Sequence, residues 1–256
     1  MDREDGLAAY EFVEGRALEA SELQWTHVQA AIDFFLALNT PQARLLAQDL
    51  PTASEACFSV AGHLELVGHR VAGLAAGIPD TVDNAAAVTL VQQLESYWNA
   101  LASHVLETAT RDGFAAVSLQ LPEQRCISPS DFGFHNALLQ ADQRLRFLDF
   151  EYAGWDDPAK LVGDFFAQLA VPVPTEYFER FVAAIAAVFA DSQGVVSRSR
   201  LLRPVYQVKW CCIAMNVFLP MHLARRQFAN PGMDIAALLR QQVAKAQSIF
   251  QSLPTL

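Results

Sequence analysis

The chain has 256 residues, 52% of them hydrophobic, enough apolar material to bury a core in one large domain or two small ones. Its 18 basic against 28 acidic residues give a formal charge of −10 and a pI near 5.0, which removes the counterion-release term behind non-specific nucleic-acid binding and disfavours anionic membranes as partners. Only three of the basic residues are lysines, Lys160, Lys209 and Lys245, so the first 159 positions contain none.

The acidic N-terminus, Met1-Asp2-Arg3-Glu4-Asp5, has no apolar region of the kind a signal peptide needs. No apolar tract reaches the roughly 20 residues required to span a bilayer. Cys57, Cys126, Cys211 and Cys212 show no CxxC pairing, and a reducing compartment suits them. Together these features predict a cytoplasmic protein.

Helical periodicity then dominates. Residues 21–38, with Ser21 as N-cap, carry Leu23, Val28, Ile32, Phe35 and Leu36 on one side and end at Asn39-Thr40-Pro41, where a second helix begins. Residues 54–75 are helical in pattern, and over 85–110 the apolar positions Val91, Leu94, Trp98, Leu101 and Val105 step by three and four. The stretch 126–157 is irregular and strand-like. Helices resume over 159–169, 175–190, 199–219 and 234–252, punctuated by Pro172, Pro174, Pro220 and Pro231. With no internal repeat or linker, the pattern predicts one mainly helical domain with a small β-hairpin in its middle.

A hairpin turn centred on Asp142-Gln143 pairs Leu139 with Arg146, Leu138 with Phe147 and, at the open end, Asn136 with Asp149. Opposed residues in such a ladder stand about 5 Å apart. An amide and a carboxylate side by side suit a hard divalent cation, Mg²⁺ in particular, which takes its remaining oxygens from water and phosphate. Asp131, five residues before the asparagine, could orient or deprotonate a hydroxyl. A three- or four-residue loop would shift the register, and each of these residues alone is also an ordinary cap or turn residue.

The string Ser128-Pro-Ser-Asp-Phe-Gly-Phe-His-Asn136, followed by Leu145-Arg-Phe-Leu-Asp-Phe-Glu-Tyr-Ala-Gly154, resembles the catalytic loop and metal-binding strand of the aminoglycoside phosphotransferase and choline kinase family. The implied fold is the mainly helical C-lobe of the protein-kinase-like α+β architecture, a single unit over 1–256. It comprises a hinge-like segment at 8–15, a catalytic loop and metal-binding hairpin at 126–157, and C-terminal helices at 159–252. The implied activity is transfer of phosphate from ATP or GTP to a hydroxyl of a small molecule, with Asp131 as catalytic base and Asn136 and Asp149 as Mg²⁺ ligands. Tyr10-Glu-Phe-Val-Glu-Gly15 resembles the hinge between lobes, so the backbones of Glu11 and Val13 would face adenine. Gly163-Asp164 resembles the buried helix aspartate that ties the catalytic loop in place.

The sequence departs from the family in two ways. The family's N-lobe carries a phosphate-covering loop and a strand lysine, whereas this chain has nine residues before its hinge-like string, no GxG and no lysine before 160. The resemblance thus implies a C-lobe whose N-lobe is missing or reduced, and a non-catalytic pseudokinase or interaction module of the same fold is the alternative. Where the family has His-Gly before the catalytic aspartate, Pro129-Ser130 stands here, which puts the bracing of the loop in question.

Among the other residues, His27, His63, His69, His104 and His222 read as surface or packed histidines, whereas His135 lies inside the loop and could meet substrate or phosphate. Cys211-Cys212 reads as core. Glu151, Asp156 and Asp157 could recognise a cationic substrate, although Asp156-Asp157-Pro158 reads more naturally as a helix-entry turn.

Overall fold

The structure of the chain, a computed structural model, describes residues 11–256. A two-residue strand, β1 (Arg16–Ala17), leads into α1 (Trp25–Leu38), whose buried positions Val28, Ala31, Ile32 and Phe35 repeat at helical spacing. This helix starts at Gln24 and not at Ser21, because the Gln24 N–H donates to Nδ1 of His27, while Ser21 falls in a separate single turn. α2 (Pro41–Leu46) begins at the expected proline with Thr40 as its cap, and α3 (Val60–Gly77) starts where the Ser59 hydroxyl accepts from the Gly62 N–H at 3.1 Å. α4 (Ala85–Arg111) follows.

The middle of the chain holds more strand than one hairpin. β2 (Cys126–Ser128) pairs antiparallel with β5 (Gly154–Asp156), while β3 (Ala137–Leu139) and β4 (Leu145–Phe147) form the hairpin and β1 adds a third strand along β3. The hairpin register is one residue off the expected one, Leu139 opposing Leu145 and Leu138 opposing Arg146. The turn accounts for the shift: Gln143 takes a left-handed φ of 65°, and the Gln140 N–H donates to the Arg144 carbonyl at 2.9 Å, closing a three-residue loop.

The remaining helices are α5 (Pro158–Ala167), α6 (Phe178–Ala186), α7 (Ser192–Met215), α8 (Pro220–Ala229) and α9 (Ile235–Gln251). α7 starts before the expected position because Asp191 caps it through the Gly194 N–H, and α8 opens on Pro220, a residue that reads as a break but suits a first helical position. Two apolar clusters fill the molecule, one among α3, α4, α7 and α9 and the other among α1, α6 and the segment from β2 to β3. α5 is the wall between them, giving Ala159 and Ala167 to the first and Leu161, Val162 and Phe165 to the second. All four cysteines are free and buried, and burial pushes the Cys57 and Cys211 thiols up to about 12, so they behave as core residues. None of the described helices is long and apolar enough to cross a membrane.

Burying α5 takes charge out of water along with its apolar face. Asp156 and Asp157 are fully buried just before it, Lys160 and Asp164 are buried on it, and each meets an opposite charge. Lys160 Nζ donates to Asp156 at 2.7 Å, Lys209 Nζ of α7 donates to both Asp164 oxygens at 2.9 and 3.0 Å, and Asp157 meets Arg198 at 3.3 Å and His63 at 3.2 Å. His63 in turn contacts the Tyr206 hydroxyl at 2.6 Å. Burial acts to raise the Asp164 carboxyl, but Lys209 and Lys160 outweigh it and hold the group below its ordinary value. Asp156-Asp157 is therefore a helix entry, with Asp157 accepting from the Ala159 N–H at 2.8 Å, and neither carboxylate is open to a substrate.

α5 approaches α7 so closely at Gly163 that a Cβ there would come within 2.4 Å of the Tyr206 ring. Tyr206 is fully buried and held by His63, so it cannot swing aside. Gly163→Ala is expected to destabilise the protein, since overpacking of about 1–3 kcal/mol exceeds the roughly 1 kcal/mol gained in helix propensity. Thermal unfolding followed by circular dichroism checks this, and an unchanged or raised Tm would show that the α5–α7 seam is loose.

Candidate active site

The loop from β2 to β3 carries Asp131, and the chain braces it without the His-Gly pair that the resemblance leads one to expect. Asn39, at the end of α1, accepts from the Ile127 N–H at 2.8 Å and donates to the Ile127 carbonyl at 3.0 Å, clamping β2 by its backbone. Ser130 takes a left-handed φ of 70°, stabilised by its N–H donating to the Ser128 hydroxyl at 3.0 Å and its own hydroxyl donating to the Ser54 carbonyl at 3.2 Å. Beyond Asp131, Phe132 and Phe134 drop into the core. Phe132 lies 5.2 Å from Phe165 and 5.1 Å from Phe147, and Phe134 lies 5.4 Å from Phe165, so the loop is pinned to α5 and to the hairpin together.

Asp131 is thereby held half-exposed at the surface of this core. His135 Nε2 donates to its Oδ1 at 3.0 Å, and Nδ1 of the same ring is buried without a partner, which assigns the proton to Nε2. Gly133 makes the approach possible, because a Cβ there would sit 2.7 Å from His135 Nδ1. The His135 hydrogen bond, acting against partial burial and assisted by Asn136 and the charge of Lys209, keeps the Asp131 carboxyl below its ordinary value. Asn136 Nδ2 donates to the Asp131 backbone carbonyl at 3.0 Å, so the amide nitrogen is committed and the amide oxygen is left to face outward.

Asp149 stands near this pair but not directly opposite Asn136. The residue opposite is Leu148, whose N–H donates to the Asn136 carbonyl at 2.8 Å, as the one-residue register shift requires. Asp149 itself is exposed with a left-handed φ of 64°, and Phe150 stacks on Phe34 at 5.8 Å to fix the strand beyond it. The phenol of Tyr152 is pushed up first by Glu151 and further by the charges of Asp149 and Asp131. Of the four non-glycine residues at positive φ among those described, Glu55, Ser130 and Asp149 cluster here, a concentration of backbone strain typical of working sites.

A cavity of 360 Å³ opens in front of Asp131, walled by Glu55, Arg70, Tyr152, Lys209 and Trp210. Larger grooves of 560 and 590 Å³ lie between α4 and α9 and beside Trp155, away from Asp131. Among the described residues no group of three or more His, Cys, Asp or Glu side chains converges as a metal cage. Glu11 and Val13 lie on the extended segment before β1, Glu11 exposed and Val13 half-buried, while residues 8–10 of the hinge-like segment fall outside the described residues. That segment is laid along β3, with Arg16 opposite Leu139 and the Glu14 carbonyl accepting from Gln140 Nε2 at 3.4 Å. Asp164 differs from its expected role: its carboxylate meets Lys209 and the Trp210 indole N–H at 2.9 Å, not the loop backbone. Asn39, Arg70 and Lys209 carry no motif, and only the three-dimensional contacts single them out.

Removing the His135 ring is expected to move the Asp131 titration upward. Its folded-state pKa lies below the unfolded value, so the contact stabilises the protein above the unfolded pKa and the effect fades as pH falls through the folded one. Carboxyl-carbon NMR of the native chain and of His135→Ala reads this directly, and equal Asp131 midpoints in the two would refute the contact.

No family model matches the sequence, and no curated protein sequence matches it. Solved structures do match. The choline kinase of Cryptosporidium parvum Iowa II superposes with a TM-score of 0.51 at 13% identity, covering 95% of this chain and 70% of that one. The ethanolamine kinase of Plasmodium vivax gives 0.50 at 12%, covering 95% of this chain and 65% of that one. Spectinomycin phosphotransferase APH(9)-Ia, solved with ADP and spectinomycin, gives 0.50 at 12%, covering 94% and 70%. The chain thus spans about two-thirds of the length of these kinases, and the likeness is one of fold. With its helical body, small antiparallel sheets and pinned aspartate loop, the chain has the C-lobe fold of the protein-kinase-like choline kinase and aminoglycoside phosphotransferase family.

Proposed function

We propose that the chain is a small-molecule phosphotransferase that moves a phosphoryl group from ATP or GTP to a hydroxyl, with Asp131 as the base and Asn136 and Asp149 as the Mg²⁺ ligands. The observation that carries this reading is the division of labour at the loop: one Asp131 oxygen is pinned by His135, and the Asn136 amide nitrogen is committed to the loop backbone.

The donor set fits the cation. An outward amide oxygen and an exposed carboxylate are hard oxygen ligands, and a site with two of them suits Mg²⁺, which keeps water and takes phosphate oxygens for the rest. When bound, Mg²⁺ and nucleotide supply the transferable phosphoryl group and neutralise the charge that develops on it. The backbones of Glu11 and Val13, on the segment beside β3, are the candidates to face the nucleotide base.

The chain's own residues account for the acceptor side. With Oδ1 held by His135, Asp131 Oδ2 is the oxygen free to accept the proton of an incoming hydroxyl. A carboxylate held below its ordinary value is a weak base, and that suffices here: in a loose transition state the hydroxyl loses its proton late, so orientation matters more than basicity. His135 and the Phe132 and Phe134 anchors supply that orientation.

Calorimetry with ATP and GTP tests the reading. Mg²⁺-dependent nucleotide binding is expected for the native chain and is expected to be lost in Asp149→Ala. Asp131→Asn is expected to keep binding while phosphoryl transfer falls about 10²–10⁴-fold, the usual contribution of a positioned acid or base. Absence of nucleotide binding both in this chain and in a version extended with an N-terminal lobe would overturn the assignment.

A further inference from the structure

Lys160, Lys209, Arg70 and Arg198, buried or half-buried, each meet a carboxylate. Arg44 of α2 and Arg125, the residue before β2, are half-buried as well, and neither forms an ion pair among the described residues. Neutral oxygens hold them instead. Arg44 Nη1 donates to the Arg125 carbonyl at 2.8 Å and to Asn39 Oδ1 at 3.3 Å, and its Nη2 donates to the Pro122 carbonyl. Arg125 Nε donates to the Leu119 carbonyl at 2.6 Å, while its two Nη nitrogens meet no acceptor among the described residues. An aromatic ring lies against each guanidinium, Trp155 at 5.1 Å from Arg44 and Phe58 at 4.0 Å from Arg125. Both cations are therefore fixed in place without being neutralised. Burial lowers the Arg44 guanidinium from its ordinary value, an effect that the charge of Glu123 opposes without cancelling. Arg203, half-buried over Phe178 on α7, is the other cation in that state among the described residues, and its helix takes no part in the cavity that the first two share.

That cavity is the 590 Å³ groove beside Trp155, walled by α2 and by the segment that leads into β2. Glu123 is the one acid among its walls and is exposed, so two guanidinium charges stand against one carboxylate. Apart from Gln48 and Thr52 the remaining wall is apolar, made by Pro41, Leu45, Leu50, Pro122 and Trp155, and Leu45 is left 61% exposed. A ligand that satisfies this wall brings one negative charge and an apolar body. A carboxylate supplies the charge in the planar form that a guanidinium fork matches, and the arginines, already held by backbone and side-chain oxygens, lose little freedom in meeting it.

We propose that this cavity is a binding site for a small organic carboxylate with an apolar body, an acyl or aryl acid, whose charge is met by Arg44 and Arg125 and whose body covers Leu45 and Leu50. An ammonium meets the wrong sign here, and inorganic phosphate leaves the apolar wall uncovered. At 590 Å³ the cavity falls within the ~300–1,000 Å³ range of ligand sites. It shares no wall residue with the cavity in front of Asp131, so the inference does not rest on the phosphotransferase reading.

NMR titration of the native chain tests this through the Trp155 indole N–H, which donates to the Ala47 carbonyl at 3.1 Å and is identified as the signal missing from Trp155→Phe. The probes are hexanoate and octanoate as acyl acids, benzoate and phenylacetate as aryl acids, hexanamide and benzamide as neutral counterparts, and inorganic phosphate as a bare anion. At least one carboxylate is expected to move the Trp155 signal saturably and to bind about tenfold more tightly than the amides and phosphate, and the tighter of the two sets identifies the body as acyl or aryl. Arg125→Gln is expected to weaken that carboxylate about tenfold, the effect of losing a hydrogen bond to a charged group. Glu123→Gln, at an exposed position, is expected to act in the opposite direction and tighten it severalfold, and Leu45→Ser to weaken it severalfold. Because Arg125 also braces the Leu119 carbonyl, Glu123→Gln and Leu45→Ser decide the matter should Arg125→Gln fail to fold. No carboxylate moving the Trp155 signal at millimolar concentration, an amide or phosphate binding as tightly as the best carboxylate, or an affinity unchanged in both Glu123→Gln and Leu45→Ser overturns the proposal.

Discussion

The structure turns on the desolvation of four charges at and just before α5. Asp156, Asp157, Lys160 and Asp164 have left water, and a buried charge persists only if an opposite charge meets it in good geometry. The partners come from elsewhere: His63 from α3, and Arg198 and Lys209 from α7. Satisfying them fixes the relative placement of three helices that apolar packing alone would let slide. Two of the chain's three lysines belong to this network. Such pairs add little net stability compared with apolar replacements, but they select one arrangement, because the slid alternatives strand a charge.

That arrangement is transmitted to Asp131 by short routes. Asp156 ends β5, β5 pairs with β2, and β2 runs to Ser128, three residues before the aspartate. On the other side Lys209 is followed by Trp210, whose ring lies edge-on to His135 at 6.2 Å, and His135 holds the Asp131 carboxylate. The left-handed conformations of Ser130 and Asp149 cost on the order of 1–3 kcal/mol each and persist because the surroundings leave them no alternative. Those surroundings are the Asn39 clamp on β2 and the ring cluster of Phe34, Phe132, Phe147 and Phe150 around the hairpin mouth.

The parts of this picture that could be read from the sequence are those written in local periodicity. The helix over 85–110 matches α4 to within a residue because its apolar stripe is unbroken, and Pro41 and Asp234 mark helix starts through capping chemistry. The Asp131 and Asn136 spacing was legible as a motif, and the two residues do touch. The hairpin register was not legible, since a three-residue loop closed by glutamine at positive φ carries none of the Gly or Asn signal that marks such turns. β1 has two residues and owes its existence to β3 alone. Asn39 reads as a helix terminator, yet its side chain clamps a strand 88 positions away. Contacts of that separation leave no trace in one sequence.

The same distinction between a chain's composition and its internal pairing governs the acceptor question. A charge of −10 invites the expectation of a cationic substrate, but that excess describes the whole chain, and surface charges act across a Debye length of only about 8–10 Å in physiological salt. Inside the cavity the relevant quantity is which charge lacks a partner. Of the acids just beyond β4, Glu151 stays exposed next to Tyr152 in the chain, whereas Asp156 and Asp157 are sealed beneath α5. Glu55, exposed on the wall, is paired with Arg70, whereas Asp131 meets only the His135 imidazole and keeps one carboxylate oxygen free. The acidity of the chain is thus a property of its surface, and within the cavity the mutual pairing of Glu55, Arg70, Lys209 and Asp164 leaves Asp131 as the wall carboxylate with no Arg or Lys in ion-pair contact.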